Sequence, residues 1–252
     1  LEQVWQALGR MVSDPHDVGP AGIRDAAATW DGWPGGTGVM YGASQRPLTA
    51  YDLAAITAHS YSNPTVRLPF GVTRVQPSEI GLSADQFMHE SSGFSASLFK
   101  HGTTYFLAFA GTDGWSDLKS YPQSAGVIPG QYRLAADLAR AVAAATSGNL
   151  AFLGHSQGGG LAQVGSVRTG LPAVTFNSVG LHANTIREFG IPGADPNRLV
   201  TSYYVLGEIL STAQDVSLLP NALGQRIAVM PRSLWGSAVW HTMREVLRAL
   251  GP

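Results

Sequence analysis

From Phe94 to Leu206, short apolar runs alternate with stretches of helical spacing, and no other feature of the 252-residue chain limits its folds so strongly. Phe94–Leu98 alternates apolar and polar positions, as a half-buried strand does. Thr104–Phe109 (TYFLAF) is a near-continuous apolar run of the kind a central strand carries. The pattern then predicts a helix over about 131–146, a strand over 150–154, a helix from about 157 and a strand over 173–177. A polar helical piece ending near 189 and a strand over 199–206 follow. Strands and helices taken in turn predict an α/β fold, with a mostly parallel central sheet and helices on both faces. Leu48–Ser60 has one-face helical spacing, and the last dozen residues form a short amphipathic helix. The chain is expected to form a single domain over 1–252. Residues 1–50 are its N-terminal helical extension, a separate module being the alternative.

Composition narrows the function classes. The 16 basic and 17 acidic residues give a net charge of -1, and charged residues make up only 13% of the chain. A nucleic-acid partner is not expected, because neutralising phosphates needs a basic stripe. With no cysteine, disulfides, thiolate metal sites and a cysteine nucleophile are excluded. The N-terminal LEQVWQALGR lacks the basic segment and apolar run of a signal peptide, and the chain starts at Leu1, so it is expected to be processed or trimmed. The most apolar helical stretch, 134–146, carries Asp137 and Arg140, so a soluble, non-transmembrane protein is expected, its localisation open.

The stretch Leu150–Ala162 (LAFLGHSQGGGLA) contains G-x-S-x-G as Gly154, Ser156 and Gly158. Alone this motif is a weak signal. Here it lies where an apolar strand ends and a helix begins, which is where a nucleophile elbow has to be. A sharp strand-to-helix turn strains the serine backbone and lifts Oγ above the sheet, and the residues two positions either side must be tiny. The helix N-terminus beneath it favours developing negative charge. An acyl-transfer serine also needs oxyanion donors: the N–H of the residue after it, Gln157, and a second group. The turn after TYFLAF, starting Ala110-Gly111-Thr112, lies at the end of a neighbouring strand and can supply that group.

Phe109-Ala110-Gly111-Thr112 with Trp115 and Asp117, followed by Gly154-His155-Ser156-Gln157-Gly158-Gly159, resembles the paired signatures of the class 3 lipases. The resemblance covers about residues 45–250, and only these two motifs are specific. It implies an α/β-hydrolase-type fold, Ser156 as nucleophile and Thr112 as oxyanion donor. Two positions depart from the family: Ala110 stands where Arg is usual, and Gln157 where Leu is commoner. The stretch Tyr203–Glu208 with a later His-x-Met is also similar to bacterial lipase effectors delivered into rival cells.

In α/β-hydrolases the order along the chain is serine, acid, histidine. Only His182 and His241 follow Ser156. His182 comes too early to leave a strand for the acid before it, so His241 is the expected base. His155, beside the nucleophile, is expected to point the other way along the turn. The acid should lie just past the strand at 199–206. Glu208 follows that strand immediately, and Asp215 seven residues later begins an Asp, apolar, Leu-Pro pattern like that family's. Both stay open. His16 in a loop between aspartates is expected to be a loop residue rather than a metal ligand, and no metal or organic cofactor is expected.

These residues point to a serine carboxyl-ester hydrolase acting on lipid or phospholipid at a membrane interface, a lipase or phospholipase A. A thioesterase, acyltransferase or peptidase on the same triad, and a non-catalytic binder, are the alternatives. The effector resemblance adds secretion or delivery to a target cell and a cognate immunity protein as partner. Residues 209–240 join the acid to the histidine, and Ile227, Val229, Met230, Leu234, Trp235, Val239 and Trp240 make them apolar. That segment is expected either to cover the site or to pack the core.

Overall fold

The computed structural model describes residues 48–62, 64–111, 129–192, 195–216, 220–231 and 241–251. Its spine is an eight-stranded mixed sheet. The strands are β1 (Val72–Val75), β2 (Met88–His89), β3 (Phe94–His101), β4 (Thr104–Phe109), β5 (Leu150–His155), β6 (Ala173–Phe176), β7 (Val200–Val205) and β8 (Gln225–Val229). Their order is β1-β3-β4-β5-β6-β7-β8, with β2 paired to the start of β3. Strands β4 through β8 run parallel, while β3 is antiparallel to β1, β2 and β4. The helices are α1 (Ala50–Ala58), α2 (Gly130–Ala145), α3 (Gln157–Thr169), α4 (Ala183–Phe189), α5 (Ile209–Val216) and α6 (Met243–Leu250). This is the mostly parallel α/β sheet that the alternation predicted, of α/β-hydrolase type.

Period-two alternation along the strands sorts the core into two layers. Leu150 and Phe152 of β5 join Leu107 and Phe109 of β4 in a cluster with Tyr132 and Leu138 of α2 and Leu161 and Val164 of α3. Ala151 and Leu153 turn to the opposite face, where Leu53 and Ile56 of α1 and Val246 and Leu250 of α6 cover them. Each fully buried Leu, Val or Phe contributes about 1.5–3 kcal/mol, so both faces hold the central strands firmly. A capping box starts α1: Thr49 Oγ1 accepts from Asp52 N–H, and Thr49 N–H donates to the Asp52 carboxylate. Helix α3 (QGGGLAQVGSVRT) owes nothing to intrinsic propensity. Its four glycines each cost about 1 kcal/mol relative to alanine. It is helical because every residue from Gly158 to Val167 is buried against the sheet and its neighbours.

Three strands were not anticipated. β1 and β2 are four and two residues long, too short for alternation to register. β8 decides between the two alternatives for part of the segment after the acid. Ile227 and Val229 lie in this strand at 3% exposure each, packed into the α1–α6 layer, so these two are core and not a cover. Met230, just beyond, is 53% exposed. Leu234, Trp235, Val239 and Trp240 lie outside the described residues, as do Trp115, Asp117 and His16.

Candidate active site

The carboxyl ends of the parallel strands carry the chemistry-bearing residues. β5 ends at His155, and α3 begins at Gln157, so Ser156 is the whole connection. Its backbone sits at φ 58°, ψ -126°, which costs an L-residue of order 1–3 kcal/mol. Three backbone hydrogen bonds impose it. Ser156 N–H donates to Phe176 O on β6, and Ser156 O accepts from the N–H groups of Gly159 and Val179, each at 3.1 Å. The flanking glycines are required by close approach. A Cβ on Gly154 would lie 2.1 Å from Gly158 O, and one on Gly158 would lie 2.3 Å from Phe109 O. Ser156 is 2% exposed, and its side chain makes no capping hydrogen bond to α3.

Two strands away, Glu208 precedes α5 and is wholly buried. Oε1 accepts from Leu210 N–H at 2.7 Å, and Oε2 accepts from Ser211 N–H and Oγ at 3.0 Å each. The carboxylate thus sits on the N–H groups of the first turn of its own helix, where a negative charge is favoured. His241, ahead of α6, meets it: Nδ1 lies 2.5 Å from Glu208 Oε1. Burial alone would raise the Glu208 pKa. The charge of His241, the hydrogen bond from its ring and the N–H groups of Ser211 and Leu210 outweigh that and hold it below the ordinary carboxylate value.

Of the two candidate acids, then, Glu208 is the one brought to His241. Asp215 lies seven residues further along α5, and its side chain is outside the described residues. His182 is elsewhere, accepting from Asn184 N–H as the N-cap of α4.

The expectation for His155 needs correcting. Its ring does not turn away from the site but stacks on His241, with centroids 4.8 Å apart and planes inclined by 29°. The strand period explains it. His155 falls on the same face of β5 as Ala151 and Leu153, the face that α6 covers, and His241 enters α6 from that side. His155 Nδ1 shares a 2.9 Å hydrogen bond with Tyr61 Oη. Burial, and then the charge of His241, hold the His155 pKa well below 6.5, so this ring is neutral.

A family model described as a Tle-like phospholipase domain matches residues 52–251, an interval that takes in every residue of this constellation. The chain belongs to that family. It is also similar to an extracellular phospholipase A1 of Serratia liquefaciens, 34% identical over 174 residues, a match that covers 65% of this chain. The chain spans about half the length of that relative, 54%. The family is a phospholipase one, closer to the effector resemblance drawn from the sequence than to the class 3 lipases, which neither match names.

Of the expected oxyanion donors, Gln157 opens α3 directly after Ser156, and its side-chain Nε2 donates to Gln131 Oε1 of α2 at 3.0 Å. Gln131 Nε2 in turn donates to Ser92 O. Thr112 lies outside the described residues, but Gly111 before it is packed against the elbow. A Cβ there would lie 3.3 Å from Ser156 Cβ and 2.8 Å from Tyr61 Oη. Among the described residues no group of three or more His, Asp or Glu could hold a metal ion, and no helix is long and apolar enough to cross a membrane. Sequence reasoning missed Tyr61 and Gln131. Neither belongs to a motif, and Tyr61 meets His155 across 94 residues of chain, so no local pattern marks it.

Proposed function

We propose that this chain hydrolyses the carboxyl esters of phospholipids, as a phospholipase A, through Ser156, His241 and Glu208. The observation that carries the reading is the Glu208–His241 pair, whose imidazole stacks on His155, the residue preceding the strained serine. Ser156 Oγ attacks the ester carbonyl while His241 takes its proton. Glu208 stays ionised, fixes the ring through Nδ1 and stabilises the imidazolium that forms. The oxyanion is held by Gln157 N–H at the N-terminus of α3 and by Thr112. His241 then protonates the departing lysophospholipid oxygen, leaving the acyl group on Ser156. Water, activated by the same ring, releases the fatty acid and restores the serine. The Tle-like family match and the phospholipase A1 relative support phospholipid over other acyl substrates.

Incubating the protein with defined phospholipids, triacylglycerols, thioesters and peptides, with products identified by mass spectrometry, tests this. Release of free fatty acid and lysophospholipid is the expected result. Turnover of a thioester or peptide alone would give the site to another acyl chemistry. Action outside the producing cell, as an effector held in check by an immunity protein, is the biological setting we propose. Toxicity of the chain exported to a bacterial periplasm, absent when it stays in the cytoplasm, is the outcome that reading requires.

A further inference from the structure

Tyr61 lies beyond the C-terminus of α1 and far from every motif, yet its hydroxyl touches both sides of the site. It accepts from Gly111 N–H at 3.1 Å and shares the 2.9 Å hydrogen bond with His155 Nδ1. Its ring meets the His155 ring edge to face, with centroids 6.1 Å apart. Gly111 lies two residues past β4 and is so close to the elbow that a Cβ there would crowd His155 O and Ser156 Cβ. His155 is the surface on which His241 stacks. One phenol oxygen therefore joins the chain just past β4, the strand end that presents Ser156 and the ring that supports the base.

We propose that Tyr61 is a positioning residue: its hydroxyl sets Gly111 and the His155–His241 stack relative to Ser156. The proposal rests on the ester-hydrolase reading above. His155 is not placed to serve as a second base, since its ring is buried and its Nδ1 is taken up by the phenol. Its part is to keep the His241 imidazole at one angle. The Gly111 N–H, tied to Tyr61, holds the chain just past β4 at a fixed distance from the elbow. A misplacement of about 1 Å at such a site costs on the order of 100-fold in rate without touching the reacting atoms.

Tyr61→Phe removes one oxygen and keeps the ring, so it separates these roles from packing. Wild type, Tyr61→Phe, His155→Phe, the double variant and Ser156→Ala are compared on a soluble short-chain ester, with Tm measured for each. Tyr61→Phe is expected to lower kcat about 10–100-fold, with KM within about threefold and Tm within a few degrees. The double variant should lose clearly less than the product of the two single losses, because both substitutions break one link. A kcat within about twofold of wild type overturns the proposal, as does a strictly multiplicative double variant. A large fall in Tm alongside kcat overturns it too, by making the phenol a structural group. An inactive wild type, or a Ser156→Ala protein as active as wild type, instead sinks the hydrolase reading on which the proposal stands.

Discussion

Ser156 and the Glu208–His241 pair are held by different means. Around Ser156 every restraint is backbone: three main-chain hydrogen bonds fix its torsion angles, and two glycines let α3 close onto β4 and β5. Glu208 and His241 are 33 residues apart and come from segments that follow different strands. Side-chain charge and hydrogen bonding join them. A nucleophile held by backbone geometry tolerates loss of its own side-chain chemistry. A base held by charge depends on the protonation state of its partner, so the two regions should respond differently to substitution and to pH.

The largest effect belongs to the proposed nucleophile. Ser156→Ala should lower ester hydrolysis by about three orders of magnitude or more, since triad members act as a unit. Tm should stay within about 2 °C, because the backbone restraints remain. Retention of more than about a tenth of wild-type turnover would take Ser156 out of the mechanism. Next comes the acid. Glu208→Gln should cut kcat by about 10³-fold or more, whereas Asp215→Asn should stay within a few-fold. Kinetics with the pattern reversed would move the acid to Asp215.

A third substitution reverses the balance between activity and fold. Gly158→Ala forces a methyl against the Phe109 carbonyl and should cost on the order of 3 kcal/mol, visible as a fall in Tm or in soluble yield. An unchanged Tm would show that the elbow is less tightly packed than these distances require.

The smallest effect is the pH response of stability, in two windows. His155 is held neutral, so below 6.5 the unfolded chain binds a proton that the folded one refuses, and stability falls as pH drops through that value. Glu208 is held below 4.5, so its contribution is complete above 4.5 and is lost as pH falls through its lowered value. Urea unfolding across pH should show the first loss shrink in His155→Phe, with partly buried His59, also held below 6.5, supplying a smaller remainder, and the second disappear in Glu208→Gln. A first loss that persists in full in His155→Phe would assign it to another histidine.

How much of this was legible in the sequence follows the same division. The strands β3 to β7 announce themselves as apolar runs set between helical stretches, β5 and β6 being buried at every residue, while α2 shows its helical period and α3 follows from the elbow that starts it. The elbow is legible because sterics put its glycines two positions from the serine. β8 escaped because Gln225-Arg226 at its start is polar and an exposed Met230 follows its last residue, so its apolar positions fitted a surface cover as well as a core. Glu208 and Asp215 could not be separated by spacing, since what distinguishes them is a contact with a residue brought in by α6. Tyr61 had no signature at all, because its role lies in where its hydroxyl ends up.

The torsion angle at Ser156 also restricts which nucleophiles could ever occupy this turn. At φ 58° a β-branched side chain is a steric outlier, whereas an unbranched one is tolerated. Threonine carries the same hydroxyl as serine but is branched at Cβ, while cysteine matches serine in shape and differs in its reacting atom. Mutational drift at this position is therefore channelled: an exchange of oxygen for sulfur is open to it, and a retained alcohol on a branched carbon is closed.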